Sequence, residues 1–441
     1  MSATTLSPPI PFPKGNKKVI RGWVMYDWAN SVYQLTIGST IFPVYYNTIT
    51  QTGGQFTVSF FGAKVINSVL YSWAIASAFL LLAILSPLLS SIADYTGRRK
   101  TFMKAFTWIG AMGCGMMFFF NRNTIELGVI SLSLATFGYA GSIVFYNSFL
   151  PVIAEPRDHD RISARGYSMG YLGGVVLLLI NLMMIMKPGW FGIPADSSLP
   201  ARISFLTVSI WWIGFAQITF RRLPKFTYRK QEVRGHIIAY GYKELQTVYK
   251  QVRKSRALTI YLGGYFFFMM GLLTVMYMAA TFGVKEMGMK DDVLIPTVLV
   301  INLVGMFGAW FFARLSGRVG NLPALIVSLV AWTFICLGAY FITSVAQFVT
   351  IAFFIGIVMG GTQSLARSTY SKMLPESTTD HTSFFSFFDV MEKLAMAGGM
   401  FSFGFIEAIT GNMRASVLAI GLFFIIGTGL ILLIPREKKL V

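Results

Sequence analysis

Twelve long apolar stretches are the feature that most limits what this chain can fold into. A helix needs roughly 20 mostly apolar residues to cross a bilayer. Charged residues make up only 12% of the 441 residues, about half of the roughly 25% that is typical of soluble domains. The sequence therefore predicts an all-α membrane protein with twelve spans, numbered 1 to 12 along the chain: 23–47, 68–92, 102–121, 125–150, 166–186, 203–220, 258–282, 293–313, 322–342, 346–371, 383–408 and 414–434.

The distribution of positive charge predicts where the loops lie. A net charge of +19 would indicate a nucleic-acid partner in a soluble protein. Here 29 of the 37 lysines and arginines lie in or beside the two tails and the loops that follow spans 2, 4, 6, 8 and 10, whereas the other five loops hold 7. Cytoplasmic loops carry the excess of Lys and Arg. We therefore expect both termini in the cytoplasm, no nucleic-acid partner, and the cytoplasmic membrane of a bacterium as the location, with a vacuolar-type membrane as the alternative.

A basic segment divides the chain in its middle. Residues 221–257 contain 11 lysines and arginines, and residues 236–252 mix charged with apolar residues, a pattern that indicates an amphipathic helix. This linker either binds anionic lipid headgroups or is a solvated connection. The predicted organisation is a cytoplasmic tail, a six-span half, the linker, a second six-span half and a short tail, with bounds 1–22, 23–220, 221–257, 258–434 and 435–441.

The two halves repeat each other at an offset of 220 to 225 residues. Three pairs of short matches share this offset: 93–98 with 313–318, Leu-Pro at 150–151 with 374–375, and Gly-Gly at 173–174 with 398–399. Two parallel six-helix repeats are the plan of the major facilitator fold, in which the substrate site lies between the halves near the middle of the membrane. The sequence therefore predicts two pseudo-symmetric six-helix halves with that fold.

The loop after span 2 resembles the signature loop of the major facilitator superfamily. Residues 90–100, S-S-I-A-D-Y-T-G-R-R-K, follow the pattern G-x-x-x-D-R-x-G-R-R. Gly97 permits a tight turn, and the cations that begin at Arg98 are expected to hold the loop in the cytoplasm. The resemblance implies that Asp94 is a conformational latch against the N-terminal end of span 11, where the helix dipole favours an anion. The alternative is a turn that only sets topology. The second-half copy has Arg314 where the acid would lie, so we expect the latch in the first half alone.

Four further stretches carry a narrower resemblance. They are Y-D-W-A-N-S at 26–31, R-I-S-A-R-G-Y at 161–167 continuing to G-Y-L-G-G at 170–174, G-G-T-Q-S-L-A-R-S at 360–368, and F-F-S-F-F at 384–388 followed by Lys393. Together they resemble the "unknown major facilitator" family, which contains bacterial permeases and the autophagy-related vacuolar amino-acid effluxer of fungi. Span 11 departs from the family pattern at Ser386, Phe388 and Met400, where Gly, Tyr and Pro are usual. The resemblance implies secondary transport of amino acids or related small metabolites, and we expect a monomer.

Polar residues within a span are costly and indicate functional positions. On span 1, Asp27, Asn30, Ser31 and Gln34 fall on one face of a regular helix. We expect this face to line the substrate pathway, with Asp27 as a gate or proton carrier. The alternative is structural hydrogen bonding between the halves.

Span 11 contains three charged residues within five positions. Asp389 and Lys393 are four residues apart and can pair on one face, which leaves Glu392 without a partner on its own helix. An unpaired carboxylate in an apolar environment suits proton coupling. The alternative is a structural cluster of ion pairs.

Arg367 lies near the predicted cytoplasmic end of span 10. It is expected either to close an inner gate against Asp27 or Glu155, or to extend its side chain to the membrane interface. Gln363 lies deeper in the same span and is expected to line the pathway. Weaker pathway candidates, for which helix–helix hydrogen bonding is the alternative, are Asn147, Tyr171, Tyr265, Tyr277 and Asn302.

Motifs for enzyme chemistry are absent from the sequence. It has no G-x-x-x-x-G-K-[ST] loop and no H-E-x-x-H zinc pair, so we expect no enzyme activity, no cofactor and no metal. The predicted function is secondary active transport of a small polar metabolite, with amino acids among the expected substrates, by alternating access and with proton coupling. A lipid or amphiphile transporter, or a membrane sensor that does not transport, is the alternative.

Overall fold

The computed structural model of the chain describes residues 14–50, 57–194, 198–225, 237–287, 289, 291–374, 381–410 and 413–435. Each predicted span is helical. Span 1 runs from Lys17 to Thr50 and is α-helical except for a π-helix, Tyr33–Thr40. The other spans are Asn67–Thr96, Arg99–Met116, Ile125–Asn147, His159–Met186, Leu199–Arg222, Arg256–Met287, Asp291–Val319, Asn321–Phe341, Val345–Met373, His381–Thr410 and Met413–Leu432.

Nine helices in the described part of the chain are long and apolar enough to cross a membrane. Spans 1, 2 and 11 are not among them, although span 2 contains a shorter apolar stretch, Ser77–Ser90. Spans 1 and 11 are the helices that contain the acidic candidates Asp27, Asp389 and Glu392. Such groups are tolerated at membrane depth where they face the interior of a bundle.

The two halves pack in the same way at their repeated glycines. A Cβ atom added to Gly173 of span 5 would lie 2.7 Å from the backbone oxygen of Trp28 in span 1. A Cβ atom added to Gly399 of span 11 would lie 2.5 Å from the backbone oxygen of Met270 in span 7. Small residues permit such close backbone approach. Span 5 therefore packs on span 1 as span 11 packs on span 7, and each half has its own hydrophobic core.

The two ends of the molecule are distinguished by the elements that lie outside the bundle. A short antiparallel hairpin, Thr57–Phe60 and Ala63–Ile66, follows span 1 and was not expected from the sequence; we call its end the hairpin side. The helix Ile237–Lys254 follows span 6, which confirms the predicted helical linker; we call its end the linker side. Val248 and Val252 of this helix are buried, and the helix packs against spans 2, 11 and 7.

The signature loop forms a tight turn, and its three consecutive cations differ in exposure. Gly97 has a φ of 67°, the left-handed conformation that a tight turn requires, and Arg98 is exposed. Arg99 and Lys100 are instead buried. The Lys100 Nζ donates hydrogen bonds to the carbonyl oxygens of Phe220 and Leu223, at 3.1 and 2.7 Å, and so satisfies the C-terminal end of span 6. The side chain of Asp94 lies outside the described part of the structure.

Candidate functional site

Arg367 of span 10 is buried between the two halves, within a group of aromatic rings from the first half. Its guanidinium carbon lies 4.2 Å from the ring centroid of Tyr167, 4.8 Å from that of Trp23 and 5.6 Å from that of Tyr146. A guanidinium within about 6 Å of an aromatic face is attracted by the ring electrons, and more strongly when it is desolvated. The cation is therefore stabilised by rings as well as by counter-charge.

Asp27 provides the counter-charge, but a tyrosine holds it more closely than the arginine does. Its Oδ2 accepts a 2.6 Å hydrogen bond from the Tyr146 hydroxyl, whereas the Arg367 Nη2 lies 3.5 Å away. Arg367 also donates to the hydroxyl and carbonyl oxygens of Ser163, both at 2.9 Å, and to the Asn147 amide oxygen at 3.3 Å. Of the two acids expected opposite Arg367, the structure brings Asp27 into contact, and Glu155 is exposed.

The glycine at position 166 allows this pair to form. A Cβ atom there would collide with the Asp27 Oδ2 and would lie 3.0 Å from the Arg367 Nη2. Span 5 can therefore contact the carboxylate and the guanidinium only because its backbone has no side chain at this point.

A second charged cluster between the halves was missed in the sequence. Asp160, at the start of span 5, accepts hydrogen bonds from the Lys372 Nζ at 2.6 Å, the Asn321 Nδ2 at 2.6 Å and the Ser316 hydroxyl at 3.1 Å. These partners come from spans 10 and 9 and from the end of span 8, so one carboxylate joins four helices. We call Asp160, Ser316, Asn321 and Lys372 the Asp160 cluster.

The Asp160 cluster includes a residue of the second-half copy of the signature, where we expected no latch. Ser316 belongs to that copy, and the carboxylate reaches it from span 5 instead of from position 314. Arg314 lies over the ring of Trp310, with 5.3 Å between guanidinium carbon and centroid. The position of Asp160 directly before the 161–167 motif was the signal that could have identified it.

Two hydrogen bonds from hydroxyl groups also join the halves on the linker side. The Ser163 hydroxyl donates to the carbonyl oxygen of Ser364 at 3.1 Å, and the hydroxyls of Ser86 and Ser386 lie 2.8 Å apart. Ser386 is one of the positions at which span 11 departs from the family pattern. The departure therefore adds a hydrogen bond between spans 2 and 11.

A small cavity, with room for about one water molecule, lies beyond the Arg367 site, where spans 1, 2 and 4 of the first half meet Tyr277 of the second. Gln34 of span 1 and Tyr277 of span 7 both line it. Between this cavity and the Arg367 site, the Tyr171 hydroxyl donates to the Gln363 Oε1 at 2.6 Å. The structure thus pairs Tyr171 with Gln363 and places Gln34 and Tyr277 on one cavity. Asn302 donates to the Val298 carbonyl oxygen of its own helix at 2.9 Å.

The π-helix in span 1 divides the polar face that the sequence predicts. Asp27, Asn30 and Ser31 precede it, whereas Gln34 lies within it. A π-helix has hydrogen bonds between residues five apart, whereas an α-helix has them between residues four apart. It is common at functional sites. Asp27 lies in the Arg367 site, and Gln34, about 10 Å further along the helix axis, lines the cavity.

The charged residues of span 11 lie at the edge of the same cavity. The Lys393 Nζ lies 2.6 Å from the Asp389 Oδ1 and 5.3 Å from the ring centroid of Phe79, which lines the cavity. Glu392 accepts a 2.6 Å hydrogen bond from the hydroxyl of Tyr265 in span 7. Its partner is thus a neutral group on a neighbouring helix.

Comparison with known proteins places this geometry in context. A family model described as "Vacuole effluxer Atg22 like" matches residues 15–441. The chain is 28% identical over 418 residues to an uncharacterized MFS-type transporter of Bacillus subtilis, YxiO, covering 95% of each protein. It is 21% identical to autophagy-related protein 22 of Yarrowia lipolytica, covering 98% of this chain and 88% of that protein.

Solved structures share the fold at low identity. The Escherichia coli fucose:proton symporter FucP superposes with a TM-score of 0.67 at 14% identity, covering 95% of this chain and 98% of that one. The proton:xylose symporter XylE gives a TM-score of 0.67 at 10% identity, covering 95% and 94%. The predicted major facilitator fold of twelve helices is thereby confirmed.

Proposed function

Because the chain belongs to the family of Atg22-like vacuole effluxers, we propose that it moves a small polar metabolite across the membrane by proton-coupled alternating access. It is an integral membrane transporter and not an enzyme. The observation that carries the mechanism is the placement of two buried ion pairs between the halves on the linker side, next to a cavity between the halves. A transporter that alternates must form and break such contacts around a fixed site.

The two linker-side ion pairs act as the inner gate. Asp27 with Arg367, and Asp160 with Lys372, each join a helix of the first half to span 10 of the second. Opening on the linker side exposes all four groups to water. Their hydration then compensates for part of the lost attraction between the charges. The contacts therefore stabilise the closed gate but still allow it to open.

Span 11 supplies the coupling groups. Glu392, bound to a neutral tyrosine, carries the coupled proton, and the Asp389–Lys393 pair beside it sets the local charge. A charged carboxylate within a span is costly, and the hydrogen-bond partner of Glu392 is neutral, which is why we assign the coupled proton to Glu392.

The cavity supports a small polar substrate. Gln34, Tyr277 and Gln363 offer amide and hydroxyl groups to it or beside it, which is the chemistry that orients a polar ligand. The family description names vacuole effluxers, so amino acids are the first substrates to test.

The orientation and assembly are also part of the proposal. The excess of Lys and Arg on the linker side supports a cytoplasmic location of that side and of both termini. We place the protein in the cytoplasmic membrane of a bacterium as a monomer, with the domain bounds given above. The basic linker lies beside anionic headgroups of the cytoplasmic leaflet.

Transport by purified protein in liposomes tests the proposal. With an inward or outward pH gradient and a panel of amino acids and related metabolites, at least one should accumulate against its own gradient. Glu392→Gln mimics the protonated form and should abolish this accumulation while exchange of substrate continues. Glu126→Gln, at the hairpin-side start of span 4, is the matched control and should leave accumulation unchanged.

Two results would reject parts of this proposal. Accumulation by Glu392→Gln at the wild-type rate would make Glu392 structural and Asp27 the next coupling candidate. Movement of a labelled phospholipid in place of every metabolite of the panel would favour the lipid-transporter alternative.

A further inference from the structure

The groups that surround the Arg367 guanidinium belong to the half opposite its own. Arg367 lies on span 10 of the second half. The rings and the acceptors that the structure describes around it come from spans 1, 4 and 5 of the first half: Trp23, Tyr146 and Tyr167 as rings, and Asp27, Asn147 and Ser163 as acceptors. The side chains of Arg367 and Asp27 are only 4% and 8% exposed. The first half therefore forms a buried cation site, which a side chain of the second half fills.

The first half connects these groups to one another independently of Arg367. The Trp23 Nε1 donates to the Tyr146 carbonyl oxygen at 3.0 Å, and the two rings stack with centroids 4.4 Å apart. The Tyr146 hydroxyl in turn donates to the Asp27 carboxylate. Alternating access moves one half largely as a rigid body against the other. When the linker side opens, Arg367 therefore leaves with span 10, and the rings and acceptors keep their arrangement in the first half.

The arrangement of the acceptors matches a guanidinium group. The Arg367 Nε donates to the Ser163 hydroxyl and the Nη1 to the Asn147 amide oxygen. The Nη2 donates to the Ser163 carbonyl oxygen and to the Asp27 carboxylate. Each of the three nitrogen atoms thus has its own acceptor in the first half, and the planar group lies against aromatic faces. An ammonium group is a compact point charge and reaches fewer of these acceptors at once.

Departure of Arg367 leaves the Asp27 carboxylate beside three aromatic rings and without its cation. A cation from the aqueous phase regains the charge-assisted hydrogen bond to the carboxylate. It also regains the attraction of the ring faces, which is the interaction that aromatic cages use to bind cationic ligands. An anion would instead meet a carboxylate and the oxygen atoms of Asn147 and Ser163. The vacated site therefore selects positively charged solutes.

We propose that the first-half groups around Arg367 form a binding site for a small solute that carries a guanidinium group, and that Arg367 occupies this site as an internal competitor in the closed state. This rests on the alternating access proposed above and names a substrate class for it. The solute binds when the linker side is open, and closure returns Arg367 to the site and displaces the solute. The site is thus the linker-side entrance of the pathway and not its centre.

Binding of ethylguanidinium to purified Arg367→Ala tests the site. Ethylguanidinium reproduces the part of the side chain that the substitution removes, and ethylurea is its neutral counterpart. Ethylguanidinium should raise the melting temperature of Arg367→Ala, because a ligand that binds the folded state stabilises it, whereas ethylurea should not. Calorimetric titration should give at least tenfold weaker binding of ethylammonium to this variant. Addition of Asp27→Asn to Arg367→Ala should weaken ethylguanidinium binding at least tenfold.

Arg314→Ala is the matched control. It removes an exposed arginine that lies over the ring of Trp310. Because this arginine is already in water, its removal should create no response to ethylguanidinium, ethylurea or ethylammonium. A melting-temperature increase equal to that of Arg367→Ala would mean that the compound acts on the protein without using the site.

A second measurement keeps Arg367 in place and so does not require Arg367→Ala to fold. In the wild type, ethylguanidinium competes with Arg367 and binds the linker-side-open state alone, so it shifts the population towards that state. With spin labels on spans 5 and 10, the ratio of linker-side-open to linker-side-closed molecules should rise at least tenfold over a titration with ethylguanidinium. Ethylurea should leave the ratio unchanged.

The outcomes separate the site from the transport function. Equal responses of Arg367→Ala to ethylguanidinium and ethylurea would overturn the cation site, and equal affinity for ethylammonium would overturn its preference for guanidinium. An unchanged wild-type ratio throughout the titration would overturn the role of Arg367 as a competitor. If no solute accumulates in liposomes while both binding measurements succeed, the proposed transport is wrong and the cation site remains.

Discussion

At the scale of single residues, the proposed inner gate contains hydrogen bonds to neutral groups as well as an ion pair. Tyr146 holds Asp27 at 2.6 Å, and Ser163 holds Arg367 at 2.9 Å, while the two charged groups are 3.5 Å apart. A buried ion pair loses hydration that its own attraction often fails to recover, and additional hydrogen bonds make up the difference. The aromatic and hydroxyl neighbours are therefore what permits a charged contact at this depth.

Gly166→Ala should disrupt this contact specifically. The new methyl group would occupy the space of the Asp27 carboxylate, and overpacking of this kind typically costs about 1–3 kcal/mol. We expect a lower melting temperature and greater accessibility from the linker side, measured by alkylation of a cysteine introduced at position 363. Gly214→Ala in span 6, where no atom lies within 4 Å of the added Cβ, should show neither effect. An unchanged alkylation rate in Gly166→Ala would remove this glycine from the gate.

At the scale of elements, the acidic residues at the linker-side helix ends occupy different positions in the two halves. The signature places an acid at the end of span 2 and none at the end of span 8. The structure supplies the missing one from the start of span 5, through Asp160. In the second half, the acid at the end of span 8 thus belongs to another helix and not to the signature loop.

Asp160→Asn should loosen the contact among spans 5, 8, 9 and 10. Removal of one partner from a buried ion pair costs about 3–5 kcal/mol, although Lys372 is 17% exposed, so we expect the lower end of that range or less. The ratio of linker-side-open to linker-side-closed molecules should rise more than tenfold, measured by the distance between spin labels on spans 5 and 10. Asp158→Asn removes a surface pair with Arg161, whose side chain is 81% exposed, and should leave the distance distribution unchanged. Equal distributions in the two variants would make the Asp160 cluster a packing feature.

Asp94→Asn tests the first-half latch that the signature implies. Loss of the attraction between an anion and a helix N-terminus costs about 0.3–1 kcal/mol at exposed sites and up to ~2 in partly buried ones. This corresponds to a change of about 2- to 30-fold in the conformational ratio. The same spin-label measurement should show a shift towards the linker-side-open state. If the distribution stays as in the wild type, the motif sets topology alone.

At the scale of the whole molecule, closure is concentrated on one side. The charged contacts described between the halves, those of Arg367 and of Asp160, lie on the linker side. The cavity lined by Gln34 and Tyr277 lies further towards the hairpin side. This distribution matches a transporter closed towards the side that carries the linker helix.

Cysteine labelling tests which compartment that side faces. With cysteines introduced at positions 231 and 291, a membrane-impermeant maleimide added outside intact cells should label position 291 and not position 231. The physical reason is the retention of Lys- and Arg-rich loops in the cytoplasm. Labelling of position 231 from outside would reverse the proposed orientation.

The sequence by itself determined the architecture, because hydrophobic length, positive charge and a repeat are properties of consecutive residues. Twelve spans, two related halves and the helical linker follow from such patterns, and so does the pairing of Asp389 with Lys393, which are one helical turn apart. Only the tertiary structure decided the contacts between distant segments. The choice of Asp27 over Glu155 for Arg367, the joining of Asp160 to Lys372 and the bond from Tyr265 to Glu392 depend on where helix ends meet across the bundle. A local pattern fixes the helix face on which a residue lies and its approximate depth, whereas the packing of the helices sets its partner.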